Sequence, residues 1–172
     1  GGINLQLSQK DADYPAVMMA NELLGGGTFM GSRISQRLRE KEGMSYGAGS
    51  YMDASYKEKQ GSWGLYAIFN PLVKNRLDSA LGDEINKAIS TGFTQDELNR
   101  SVKSLMEYRK TILGLDNYLT YQIIDYMENG RDLDEFTDFE SKVKALNLNQ
   151  VNAALKKYFD KSKLVLVYAG DF

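Results

Sequence analysis

The stretch Leu23–Ser50, LLGGGTFMGSRISQRLREKEGMSYGAGS, sets the architecture by where its breaks fall. Leu23 and Leu24 close an apolar stripe begun upstream by Ala16, Val17 and Ala20. That spacing predicts an amphipathic helix from about Asp13 to Leu24. Gly25, Gly26 and Gly27 end it, and the expected reason is the left-handed geometry that glycine relieves at a helix C-cap. A second helix is expected from near Ser32 to Gly43. Ile34 and Leu38 form its narrow apolar stripe, and Arg33, Arg37 and Arg39 dominate the rest. Tyr46 then opens a strand that runs to Ser55.

The flanks extend this pattern. Upstream, Ile3, Leu5 and Leu7 alternate with Asn4, Gln6 and Ser8, which predicts a half-buried strand over Ile3–Gln9. Downstream, Gly61–Phe69 reads as a second strand, joined to the first as an antiparallel hairpin through an exposed, charged tip at Tyr56–Gln60. Asn70-Pro71 is a helix start, and Leu72, Val73, Leu77, Leu81, Ile85 and Ile89 carry that helix to Gly92. Thr94-Gln95-Asp96-Glu97 is a capping box, flanked by Phe93 and Leu98 as a hydrophobic staple. The helix it opens continues through Val102, Leu105, Tyr108 and Ile112. Asp116 is expected to cap a further helix reaching about Met127 and stopped by Asn129-Gly130. A shorter helix lies within Leu133–Val143, and Asn147 with Gln150 opens the last, Leu148–Phe159. Leu164–Val167 is a continuous apolar run, so Lys163–Ala169 is expected as a closing strand buried on both faces. The order β-α-α-β-β-α-α-α-α-α-β predicts an α+β fold: a mostly antiparallel sheet with helices packed on one face, in a single domain over residues 1–172.

The residue types restrict the chemistry. The chain has no histidine and no cysteine. Ser-His-Asp, Cys-His and H-x-x-E-H active sites are therefore impossible within it, as are thiolate metal sites. A net charge of −2 gives no reason to expect a nucleic-acid partner. No apolar run approaches the ~18 residues that a membrane span needs. The chain opens Gly1-Gly2-Ile3, without a signal peptide or initiating methionine, and is expected to be a piece of a longer protein.

Several features have both a structural and a functional reading. Gly26-x-x-x-x-Gly31-Ser32 has part of a P-loop outline, but it lacks the lysine and follows a helix rather than a strand; a helix-to-helix loop is the plainer reading. Arg33, Arg37 and Arg39 are either an anion-binding patch or a solvated, salt-bridged helix face, since Glu40, Lys41 and Glu42 surround them. Tyr46 is either a packed ring at a strand start or, with Arg39 seven residues earlier, one of two donors converging on a carbonyl or oxyanion. Asp13, Asp53, Asp116 and Asp125 form no evident acid–base pair. The eleven tyrosines are scattered and read as core and surface.

The same Leu23–Ser50 stretch resembles the insulinase/pitrilysin family of zinc metallopeptidases, the inverzincins. It is similar in particular to their non-catalytic, C-terminal-half domains, which share Leu-Gly-Gly-Gly, then Ser-Arg-Leu, then Leu-Arg-Glu-Lys-x-Gly-x-x-Tyr. Asp13-Tyr14, Phe93-Thr94 through Leu98, and the ending Tyr168 to Asp171-Phe172 agree in layout. The resemblance implies a LuxS/mitochondrial-processing-peptidase-like metallohydrolase fold, and a clamshell whose catalytic domain or subunit carries H-x-x-E-H and the zinc. No cofactor is expected in this chain. The family's Arg and Tyr, which reach the substrate carbonyl, match Arg39 and Tyr46 here. Gly25, Gly26 and Gly27 would line the chamber, and the ligand would be a peptide. Bound peptide would add by edge pairing to a strand that the sequence does not locate. The alternative is a non-enzymatic scaffold or assembly subunit of the same fold, as in the core subunits of the respiratory bc1 complex. The resemblance also suggests a bacterial, periplasmic or exported parent.

Overall fold

The computed structural model describes residues 1–27 and 31–171. Thr28, Phe29 and Met30 of the glycine-loop motif, and Phe172, lie outside the described residues. Among the described residues one sheet forms, of order β1-β3-β2, from β1 (Gly2–Leu5), β2 (Ser45–Ala54) and β3 (Gly61–Phe69), all antiparallel. The β2–β3 hairpin falls where the alternation placed it. β1 is shorter than expected, although Leu7 beyond its end is fully buried.

Helix α1 (Tyr14–Leu24) is the centre of the molecule. It packs against β2 on one side and, on the other, against α4 (Gln95–Ile112), α6 (Glu135–Lys144) and α7 (Leu148–Tyr158). The predicted stripe Ala16, Val17, Ala20, Leu23 and Leu24 is buried, and so are Met19 and the polar Asn21 and Glu22. Asn21 is satisfied internally. Its Oδ1 accepts from Trp63 Nε1 at 3.0 Å on β3 and from Ser50 Oγ at 2.7 Å on β2. A buried donor left without a partner costs ~1–3 kcal/mol. Asn21→Leu strands the Trp63 N–H and leaves Ser50 Oγ only the Asn21 backbone carbonyl, at 3.4 Å, so urea unfolding is expected to show a loss of about 2 kcal/mol; an unchanged midpoint would refute this clamp between helix and sheet.

Two further long helices are α3 (Lys74–Thr91) and α5 (Asp116–Asn129). Both capping boxes form, Thr94 with Glu97 and Asn147 with Gln150, and the staple residues Phe93 and Leu98 are buried. Asp116 does not cap α5; it is the helix's first residue and Leu115 holds the cap position. Asn70 accepts from Leu72 N, but Pro71–Val73 is a 3-10 turn preceding α3. The tighter turn rotates Leu72 off the apolar stripe, leaving it 92% exposed.

The closing strand is the main correction. Lys161–Lys163 is a 3-10 turn, and beyond it, among the described residues, only Val165 pairs, in a single antiparallel bridge to Gly2. Val165, Leu166, Val167 and Tyr168 are exposed rather than buried on both faces. Leu164 packs against the core and Lys74 Nζ lies 3.8 Å from the centre of the Tyr168 ring, but the rest of the run keeps most of its surface exposed. None of the helices is long and apolar enough to cross a membrane, among the described residues.

Candidate functional site

The second predicted helix exists but changes character along its length. α2 (Arg33–Ser35) runs on as a π-helix over Gln36–Lys41, and Arg39 lies in that wider segment. Such insertions re-aim side chains and recur at functional sites. The helix stops where Met44 N donates to the Leu38 carbonyl at 2.9 Å. Gly43 makes that closure possible at φ +59°, and a Cβ there would meet open space, so the left-handed backbone is the reason for glycine.

The strand that follows opens with a bulge. Ser45 pairs with Phe69 and Gly47 with Ile68, so Tyr46 is the extra residue with no partner on β3. Ser45 pins the bulge. Its Oγ is 2.7 Å from the Ile68 carbonyl and 2.9 Å from the Gly47 carbonyl, and it accepts from Gly47 N at 3.2 Å. The bulge turns Tyr46 outward, where it is 76% exposed. The packed-ring reading of Tyr46 is therefore wrong.

Arg39, Tyr46 and Gly25–Gly27 meet in one cleft of about 250 Å³, which Ser35, Ser50 and Tyr66 complete. The three arginines read together in the sequence separate here. Arg33 is buried and paired with Glu97 at 2.8 Å, not solvated. Arg37 pairs at 3.1 Å with Glu42, which also holds Arg76 of α3 at 3.1 Å. Arg39 is exposed and makes no ion pair among the described residues.

The three glycines differ too. Gly25 is extended at φ −163°, so the expected left-handed C-cap is not its role. Its carbonyl accepts from Ser50 N at 2.7 Å, docking the end of α1 on the outer edge of β2. A Cβ at Gly25 would lie 2.7 Å from Ser50 Oγ and 2.8 Å from Ser50 N. Gly26 is as tight against Glu22, with a Cβ 2.5 Å from its Oε1. Gly27 is exposed, with open space around it. Gly25→Ala is expected to destabilise by ~1–3 kcal/mol through backbone displacement, while Gly27→Ala should melt like the wild type. Equal melting temperatures for the two variants would show that close approach is not what Gly25 provides. The P-loop reading fails on setting, since Gly25 and Gly26 follow a helix rather than a strand; Thr28, Phe29 and Met30 of that motif lie outside the described residues.

A model of the family described as the peptidase M16 inactive domain matches residues 3–105. The chain belongs to this M16 family. The insulinase/pitrilysin resemblance of Leu23–Ser50 is thereby borne out. Over 111 residues this M16 domain is 34% identical to an uncharacterized zinc protease of Streptomyces coelicolor, a match covering 64% of this chain and 23% of that protein. It therefore spans about a quarter of that relative. It superposes with a TM-score of 0.79 on a peptidase M16 inactive domain from Pseudomonas fluorescens, at 24% identity, covering 94% of this chain and 38% of that one. A protease from Helicobacter pylori gives 0.77 at 21% identity, covering 94% and 38%. These two likenesses show the fold, including its α+β layering. The residues of the M16 inactive domain do not suit zinc: histidine and cysteine are missing, and among the described residues no three acidic side chains gather to hold a metal ion.

Proposed function

We propose that this domain is the accessory, substrate-binding half of a zinc-dependent endopeptidase, and that Arg39 and Tyr46 are its contacts with the peptide being cleaved. The observation that carries the reading is the cleft itself. The one arginine of α2 and its π-helical continuation without an ion pair among the described residues and a tyrosine turned outward by a pinned bulge share one opening beside the glycine loop. A homologous catalytic domain or subunit with H-x-x-E-H supplies the zinc and the hydrolytic water, on the same polypeptide or another. All 172 residues act as one such non-catalytic domain.

The chemistry left to this chain is donation. Peptide hydrolysis builds negative charge on the carbonyl oxygen as the carbon becomes tetrahedral. The Tyr46 hydroxyl donates to that oxygen, and the Arg39 guanidinium, with its fixed fork of N–H groups, holds substrate carbonyls nearby. Donors already aimed by a bulge and a π-turn lose little freedom when charge appears. The test is peptide hydrolysis by the complete peptidase carrying Tyr46→Phe or Arg39→Ala, with zinc content measured in each. A loss of activity with zinc retained supports the reading. Unchanged hydrolysis reduces both residues to surface, and a wild-type assembly that cleaves nothing makes the domain a scaffold.

A further inference from the structure

We propose that the outer edge of β1 is a second binding site, separate from the Arg39–Tyr46 cleft, which takes an extended acidic segment by strand addition. In the sheet order β1-β3-β2 the two sites lie toward opposite edges. Gly1 and Leu65 exchange both backbone hydrogen bonds, at 2.9 Å each, so the residues of β1 that bond β3 are the odd-numbered ones. Gly2 and Asn4 therefore direct their N–H and C=O groups away from the sheet. Gly2 uses both, with Val165, at 3.0 and 3.1 Å. The chain on the Val165 side has just left the 3-10 turn Lys161–Lys163, so pairing does not continue. Asn4 N–H and C=O face outward with no protein partner among the described residues.

A groove of about 720 Å³ runs beside this edge, against Ile3–Gln6. Its walls carry Lys59, Lys156, Lys157, Lys161 and Lys163, with Asp160 as their only acidic counterpart. Lys59, Lys157 and Lys163 have partners in Asp11, Asp13 and Asp160. Lys156 has no ion pair among the described residues, and Lys161 meets only the neutral Asn86 Oδ1, at 3.0 Å. The groove is thus locally cationic on a chain whose net charge is −2. Lysines also blunt exposed sheet edges against aggregation, but then they sit on the edge strand. Here β1 has none, and the lysines stand across the groove on α7, the turn after it and the hairpin tip. Backbone groups of Asn4 and facing lysines together select a strand with carboxylates, rather than a free anion.

The experiment is fluorescence anisotropy of the protein with a labelled octapeptide of alternating glutamate and valine. Its controls are the same peptide with alternate backbone nitrogens methylated and a version with lysine for glutamate. Asn4→Pro removes an N–H that the fold does not use, on an edge where proline is tolerated. Lys156→Glu with Lys161→Glu reverses the uncompensated charge on exposed residues. The acidic peptide is expected to bind the wild type, to weaken at least tenfold with either variant at unchanged melting temperature, and to weaken likewise on methylation. Equal binding of the methylated peptide would leave a plain anion patch and overturn strand addition. No binding to the wild type, or equal binding by the lysine variant, would overturn the site.

Discussion

Tyr46→Phe, carried in the complete peptidase, is expected to lower kcat/KM for peptide hydrolysis by about 10²-fold while zinc content stays at the wild-type level. The substitution removes one hydroxyl and keeps the ring. Because Tyr46 is 76% exposed on a bulge whose hydrogen bonds come from Ser45, the fold does not depend on that hydroxyl. Stability is expected to move by no more than ~0.5 kcal/mol, the range of ordinary surface changes. A loss of activity at unchanged stability and zinc content then has one source, a missing donor. If the hydroxyl acts on charge that develops during the reaction, kcat falls with kcat/KM. Arg39→Ala is expected to differ, because a guanidinium holding substrate carbonyls also binds the ground state; KM should rise as well. The two changes should be less than additive when combined, since both donors serve one peptide in one cleft. Wild-type kinetics in Tyr46→Phe would mean that the bulge displays the ring for another reason.

Local signals in the sequence carried the elements whose causes are local. The boxes at Thr94/Glu97 and Asn147/Gln150 formed because side chain and amide lie three residues apart. The β2–β3 hairpin formed because its alternation and its charged tip agree. What escaped depends on distant neighbours. Arg33, Arg37 and Arg39 look alike in the sequence, and only Glu97, on another helix, separates the buried one from the exposed one. Leu164–Val167 reads as a buried strand, yet burial needs a covering layer that no local run contains. Gly25 does cap the end of α1, but the demand for glycine there comes from Ser50 on β2 rather than from a left-handed backbone. The Arg39–Tyr46 pairing entered through resemblance to a family. The bulge that exposes Tyr46 had one readable trace, a serine before a tyrosine and a glycine at a strand entry, and the π-turn had none.

Glu97→Gln is expected to cost about 3 kcal/mol at neutral pH, near the lower end for breaking a buried ion pair. Glu97 does two jobs at once. It closes the capping box by accepting from Thr94 N at 2.7 Å, and it takes Arg33 Nε at 2.8 Å and Nη2 at 3.0 Å. Glutamine can still accept from Thr94, so the box survives in part. The charge does not survive, and Arg33 is left buried with only the Gly92 carbonyl at 2.8 Å and the face of Phe93. Burial by itself would raise the Glu97 carboxyl; the hydrogen bonds from Arg33 and then Thr94 outweigh it and hold the group down to about 2 from 4.5. A depressed carboxylate stabilises the fold at any pH above its unfolded value, and that contribution drains away as pH falls through the folded one. The gap in urea stability between wild type and Glu97→Gln should therefore be constant from neutral pH down to about 5. It should shrink steadily below 4.5 and be smallest near 2. Adding Arg33→Met to Glu97→Gln should recover part of the loss, because the stranded charge is what costs most. The pair also matters to the cleft, since it anchors the start of the helix whose final turn carries Arg39. A gap independent of pH would show that the Glu97 charge contributes nothing, and a double variant worse than the single would show that Arg33 is held by its other contacts.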